Sequence, residues 1–418
     1  MALGLDAREF TPGLKRYMTV LNAETQSFKR AAVALKLLTG LEVSDNTIER
    51  VTLEIGGELS DAEQSGWDSV LQGEVVPPEL AFVSFDGGRI RTRKMNAGSG
   101  VHVEGTGWSE TKNAIFVSAT SQVSDVDPHP LPPACFLNRN SVGQLAATIK
   151  LKENQGETSS TDEGDEQAAA SIVDELLGQG RRGKNNANNA HKPKRILRTV
   201  VASMKNSREF GKQMEREANR RRFGEANRKA YVADGLACNW TIHAEHFSDY
   251  TAVLDFTHAV THLHSAAVAC VGKTDEAWDL YQQWMTLVWQ GRTVEVIAGL
   301  RQHQSRLGDP PEDAANDDPR EVVRKEIGYL ENNVSRMRYD EFRKQGLPTS
   351  SAWMESAVKE MNHRVKATDK FWNNPDGAEA IVQVRAAALC DDNRLFRILT
   401  KRPGKPTIRN NKHTIQPS

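Results

Sequence analysis

The sequence predicts an α/β fold that carries an inserted all-helical unit, and three observations lead there. Short apolar runs come first, at 79–93, 111–121, 228–235 and 250–258, and the first and the last two of them carry an aspartate. From Ala259 to Arg343 the pattern turns wholly helical. A further amphipathic helix, around Glu355, then closes the series. Strands flanked by helices, then helices alone, read as a sheet covered by helices with an insertion ahead of the last ones.

A chain of 418 residues exceeds the usual size of one domain, so two or three units with a sizeable core are expected. No run of about 18 apolar residues occurs, and the opening MALGLDAREF lacks the charged-then-apolar order of a signal peptide. Neither a membrane span nor a leader is predicted. Cys135, Cys238, Cys270 and Cys390 stand far apart with no CxxC pair, which argues against a zinc ribbon or a disulfide framework and for a reducing cytoplasm. The net charge of -1 hides segregation. Glu153 to Glu175 holds eight acids and no Lys or Arg, Arg181 to Lys229 holds sixteen basic residues against four acids, and the last 25 residues have no acid at all. Two basic segments in a neutral chain suit a local polyanion such as DNA, drawn by counterion release, or else a solvated helix face and a loose tail.

Taken in order, residues 12 to 58 read as helical. Phe28, Ala31, Ala32, Leu35 and Leu38 make one apolar stripe, and Asn46 to Glu49 fits a capping box before Ile48, Val51 and Ile55. LTGLEVSDN between the stripes resembles the turn of a helix-turn-helix whose second helix, Thr47 to Leu59, would face a DNA groove; a plain helical hairpin is the other reading. ELAFVSFDGGRIRTR is a buried strand that ends in a turn at Asp86-Gly87-Gly88, with Ile90 and Arg91 to Arg93 on a second strand and TKNAIFVSATS as a third. Residues 122 to 140 are Pro-rich, and 152 to 193 read as a linker or mobile loop. RILRTVVASMKNSREFGKQMEREANRRRF then reads as one long basic helix. RKAYVADG is a strand closing on Asp234-Gly235, NWTIHAEHF a short helix, and YTAVLDFTH a strand ending at Asp255. Within the helical stretch, Trp278, Tyr281, Trp284, Leu287 and Val288 share one face, and GDPPEDAANDDP interrupts it as an acidic loop.

The last helices carry the most chemistry. Met354, Val358, Met361 and Val365 fall on one helical face, and Glu355 lies beside it in line with Lys359, Asn362 and Lys366. An acid followed along its own face by groups suited to phosphate is joined by two aspartates at strand ends, Asp86 and Asp234. Three converging carboxylates repel one another unless cations sit between them, so the set suggests an oxygen cage for Mg²⁺ or Mn²⁺. Two such ions, roughly 3.5 to 4 Å apart, activate a water or a 3′-hydroxyl and stabilise the leaving oxygen of a phosphodiester. Strand-end Asp-Gly is also ordinary turn chemistry. His258, His262 and His264 invite a zinc reading, but Ala259 stands where HExxH has its glutamate, and a polar helix face is the plain alternative. Trp353 and FWNNP offer either base stacking or helix packing.

FDGGRIRTR, YVADGLACNW, LDFTHAVTHLH and the segment from Leu347 to Leu389, in that order, resemble DDE transposases with an RNase H-like core. Among these the chain is similar to the ISKra type of bacterial insertion-sequence transposase, over essentially its whole length including LDAREFTPGLKRYM. The resemblance implies an RNase H-like core in two parts, 76–264 and 344–400, behind a helical DNA-binding region at 1–75. A helical insertion at 265–343 and a basic tail at 401–418 complete this division. It makes Asp86, Asp234 and Glu355 the catalytic acids and ligands of two Mg²⁺ or Mn²⁺ ions. Asp255 is the rival second acid, because LDFTHAVTH resembles the Asp-x-x-His motif of Mutator-like relatives, in which the later pair supports the strand-four acid; His258 would then orient a phosphate or the water. Arg91, Arg93, Arg220, Arg221, Arg222, Lys359 and Lys366 are the expected DNA contacts. The implied function is cleavage at element ends and strand transfer into target DNA, by a homo-oligomer in the bacterial cytoplasm at the nucleoid. A catalytically silent DNA-binding relative and an RNase H-like structure-specific nuclease are the alternatives. Relatives also carry a Cys-rich segment ahead of the region that opens here, which implies either a shortened N-terminus or another way of reading DNA ends.

Overall fold

The computed structural model describes residues 10–67, 71, 75–93, 106–154, 191–366, 372 and 374–400. A five-stranded mixed sheet lies at its centre, in the order β3-β2-β1-β4-β5. The strands are β1 (Leu80–Arg93), β2 (Thr106–Thr120), β3 (Lys194–Ser203), β4 (Arg228–Ala233) and β5 (Thr251–Leu254). β1, β2 and β3 are antiparallel neighbours, whereas β4 and β5 run parallel to β1. The fold is therefore mixed α/β, as the sequence predicts at that level.

Alternation along β1 divides the core in two. Leu80, Phe82 and Ile90 join one cluster, while Ala81, Val83 and Phe85 join the other, on the opposite face of the sheet. The second face is covered by α5 (Ser207–Arg220), which gives Phe210 and Met214, and α6 (Ala237–His246), which gives Ile242. Before these come α1 (Pro12–Glu24), α2 (Phe28–Thr39), α3 (Asp45–Gln64) and α4 (Arg139–Asn154). The first face carries α7 (Phe256–Val271), then α8 (Asp275–Trp289), α9 (Thr293–Leu307), α10 (Pro319–Asn333) and α11 (Tyr339–Lys344), all placed between β5 and α12 (Ala352–Val365). α13 (Pro375–Ala388) and α14 (Arg394–Thr400) are the last helices among the described residues. On α12, Met354, Met361 and Val365 are buried and Val358 is partly so, the face expected from their spacing.

Several readings need correction. Asp86-Gly87-Gly88 is not a turn: β1 runs unbroken to Arg93, with Asp86 opposite Asn113 and Gly88 opposite Thr111, so Ile90 to Arg93 belong to the same strand. Glycine in the middle of a strand imitates a turn signal when its pairing partner is unknown. The segment 195–223 is not one helix, because RILRTVVAS is strand β3 and the helix starts only at Ser207, capped by Asn206. Leu, Val and Ile between arginines fit either period over so short a run. The N-cap of α3 is Ser44, whose hydroxyl accepts from the Thr47 amide at 3.2 Å, two residues ahead of the expected box.

α3 itself is packed, with Ile48, Val51, Ile55 and Leu59 buried and its Gly56 pressed against α13. A β-carbon at Gly56 would lie 2.4 Å from the Ala380 carbonyl oxygen, so this helix meets α13 at backbone distance. One side of α3 therefore faces the protein, while Asn46 and Arg50 lie exposed elsewhere on the helix. The outer edge of β3 is closed by side chains from α13 and the turn after it. Arg198 N donates to Asp391 Oδ2 at 2.7 Å, Val200 N to Cys390 Sγ at 3.1 Å, Gln383 Nε2 to the Ala202 carbonyl at 2.8 Å, and Met204 N to Glu379 Oε2 at 2.6 Å. Among the described residues no helix is long and apolar enough to cross a membrane.

Candidate active site at the carboxyl ends of the parallel strands

Register places three aspartates in one row. Ser84 pairs with Val232 between β1 and β4, so two residues further on Asp86 stands level with Asp234; Ala233 pairs with Leu254 between β4 and β5, so one residue further Asp234 stands level with Asp255. Ligand sites of α/β sheets lie at such carboxyl ends. Asp86 shares the parity of Leu80, Phe82 and Ile90, which puts it on the face covered by α12. Trp353 on α12 packs on Phe82 with ring centroids 5.6 Å apart, and Glu355, two residues further on, lies near enough to His258 for its charge to act there together with that of Asp234. The sheet and α12 thus bring Asp86, Asp234 and Glu355 to one end of one face.

Asp255 differs in kind from its two neighbours. Its side chain is 0% exposed. Oδ1 accepts from Ser351 N at 2.8 Å and Thr257 N at 3.3 Å, and Oδ2 accepts from His258 N at 3.2 Å and pairs with His258 Nδ1 at 2.6 Å. Every lone-pair position of the carboxylate is committed. Asp255 caps α7 and, through Ser351, holds the start of α12; the Phe256 amide adds a bond to the Thr349 carbonyl at 3.0 Å. Burial opposes ionisation of Asp255, but the His258 ring and the amides of Ser351 and Thr257 outweigh it and keep the carboxyl below its ordinary range. Burial likewise opposes charge on His258, yet the bond and charge of Asp255, helped by Asp234 and Glu355, push it up to about 9. The row therefore contains a cationic imidazole at neutral pH, with about a quarter of its side chain exposed.

Asp234 is positioned more loosely. Its Oδ1 accepts from Leu236 N at 3.0 Å and Asn239 Nδ2 at 2.5 Å, an Asx-type turn that starts α6, and the residue is half-buried. Glu355 sits in the first turn of α12, where its amide donates to the Ser351 carbonyl at 3.0 Å. Carboxylate oxygens offered from two strands and a helix are the donors a hard divalent cation takes, so their chemistry fits Mg²⁺ or Mn²⁺. Among the described residues no three His, Cys, Asp or Glu side chains are gathered into a ready-made metal cage.

The expected DNA contacts divide sharply. Lys359 is exposed on α12 and Lys366 is exposed just past its end, and Arg91 is half-buried on β1; Arg93 ends that strand. Arg221 is a correction. It is 4% exposed and gives its guanidinium to the Phe116 carbonyl at 2.7 Å, Thr199 Oγ1 at 3.0 Å and Ser118 Oγ, so it has no surface from which to meet a phosphate. Arg220 is bound to Glu217 and Asp392, at 2.8 and 3.1 Å, and is nearly enclosed. Arg222 is exposed but paired with Glu225 through two nitrogens. The run of arginines conceals the fact that α5 ends at Arg220 and the backbone turns through a left-handed Arg222, so the three side chains leave in different directions.

His262 also finds a role that its spacing did not suggest. Its Nδ1 pairs with Glu326 Oε2 at 2.7 Å, and its ring stacks on Tyr329 with centroids 3.5 Å apart. Sequence reasoning missed both partners, which lie on α10 with nothing local to mark them. Trp372 is likewise a packing residue, its indole donating to the Val365 carbonyl at 3.0 Å. No protein-family model matches the chain, and a search of curated proteins finds no match.

Proposed function

We propose that this chain is a DNA transposase with an RNase H-like core of the DDE type, the ISKra type being the one it resembles. The observation that carries the reading is the single register row of Asp86 and Asp234 on a face over which α12 brings Glu355. Supporting it are the strand order with β4 and β5 parallel to β1, and the helices α7 to α11 inserted between β5 and α12.

In this reading Asp86, Asp234 and Glu355 hold the divalent ions, which supply activation of the attacking oxygen and neutralisation of the leaving one. Asp255 acts through others: it keeps His258 protonated and fixes the start of α12. The imidazolium of His258 offers a charge-assisted donor to a phosphodiester oxygen beside the acids. Lys359 and Lys366 extend the same helix along the DNA backbone. The two displacements, water on an element end and then a 3′-hydroxyl on target DNA, need no covalent enzyme intermediate.

Cleavage and joining of element-end DNA by the full chain with Mg²⁺ or Mn²⁺ tests this. Glu355→Gln should lower cutting by at least a hundredfold while leaving the melting temperature within a few degrees. Equal products from variant and wild type would remove Glu355 from the chemistry, and cutting without joining would favour a structure-specific nuclease.

A further inference from the structure

Helix α10 lays the ring of Tyr329 against the backbone that follows Asp234. A β-carbon added at Gly235 would stand 2.3 Å from Tyr329 Cε2 and 2.9 Å from its hydroxyl, so only glycine fits there while the ring keeps its place. One face of the ring stacks on His262, with planes 18° apart, and Glu326 fixes His262 from the same helix that carries Tyr329. The phenol is thereby held rigidly beside the acid row. Its hydroxyl is buried and has no hydrogen-bond partner among the described residues. Burial, reinforced by nearby groups including Asp234, Glu326 and Asp255, holds its pKa well above the usual phenol range, so it is a neutral donor.

A buried donor without an acceptor is costly, and folded proteins keep few of them without a use. The adjacent group with spare capacity is Asp234. Its Oδ1 is doubly bonded by Leu236 N and Asn239 Nδ2, whereas its Oδ2 takes no hydrogen bond among the described residues. The donor lies against Gly235, and the acceptor, with an oxygen free among the described residues, is the residue just before it. The geometry points to Tyr329 as a positioning residue for Asp234: its phenol donates to Oδ2 when the carboxylate turns to take up a divalent cation. The inserted helices would then serve the acid row directly, through α10. This rests on the reading of Asp86, Asp234 and Glu355 as a cation site. A ligating carboxylate whose outer oxygen is fixed by a hydrogen bond is the usual arrangement around bound metals.

The test is Tyr329→Phe in the full chain, with Mn²⁺ alone as the probe and thermal unfolding as the readout. Phenylalanine keeps the stack on His262 and removes the unpaired hydroxyl, so without metal the melting temperature should be unchanged or higher. The Mn²⁺ concentration giving half of the maximal stabilisation should rise about tenfold. Equal midpoints in variant and wild type would overturn the assignment, and so would a fall of the metal-free melting temperature, which would make the hydroxyl structural. Absence of any Mn²⁺ response in wild type would instead strike the cation site itself, and this assignment with it. The two failures are therefore told apart by the wild-type curve.

Discussion

Asp234 and Asp255 stand level on neighbouring strands, yet their surroundings assign them different work. Asp255 spends both oxygens on Ser351, Thr257 and His258, so Asp255→Ala should destabilise the protein by about 3 to 5 kcal/mol, measured by urea unfolding, because it leaves the His258 cation unpaired. Asp234→Asn should leave stability nearly unchanged while abolishing metal-dependent cutting; the reverse pattern would exchange their roles. His258 adds a pH dependence. Its pKa is raised in the folded state, so its contribution is complete below about 6.5, the unfolded value, and is lost as pH rises through about 9. Stability should thus fall between those limits by a few kcal/mol, and Asp255→Asn should flatten that slope.

At the scale of elements, close approach decides more than composition does. Gly56 lets α3 lie on α13 at backbone distance, and Gly56→Ala should cost about 1 to 3 kcal/mol by forcing the two helices apart. Denaturant midpoints of the single variant measure it; no change would mean that the interface yields freely. This interface is also where the sequence was least readable. The stripe Ile48, Val51, Ile55 marks one buried face, but nothing in it names α13 as the partner or marks Gly56 as a contact. Glu355 and its apolar face were legible because helical period is local, and so were the aspartates at the ends of β4 and β5. The continuation of β1 through Gly87 and Gly88 was not, since only the distant partners Asn113 and Thr111 make that segment a strand. Tyr329 was hidden for the same reason: its meaning comes from Gly235.

Over the whole molecule, part of the basic segment holds the fold together: Arg198, Arg220 and Arg221 are bound within the protein, while Lys194, Arg195, Arg208 and Lys212 are exposed. Glu217, 2% exposed, is bound by Arg220 and by Arg394, itself 1% exposed, so α5 and α14 are joined by charge in the interior. Glu217→Gln should therefore destabilise by about 3 to 5 kcal/mol, whereas swapping the whole cluster for apolar residues of similar volume should cost far less. For DNA, Lys359→Ala on the exposed side of α12 should reduce the salt slope of binding by about one, and an unchanged slope would take that helix off the DNA path. The edge of β3 has its own consequence. With Arg198, Val200, Ala202 and Met204 all occupied by side chains of α13 and its turn, no further strand can be added there, so copies of this chain cannot join by extending the sheet past β3. Cys390 makes that seal observable: burial pushes its thiol up to about 12, and an alkylating reagent should reach it only when α13 lifts away, so the labelling rate is a clock for opening of that edge.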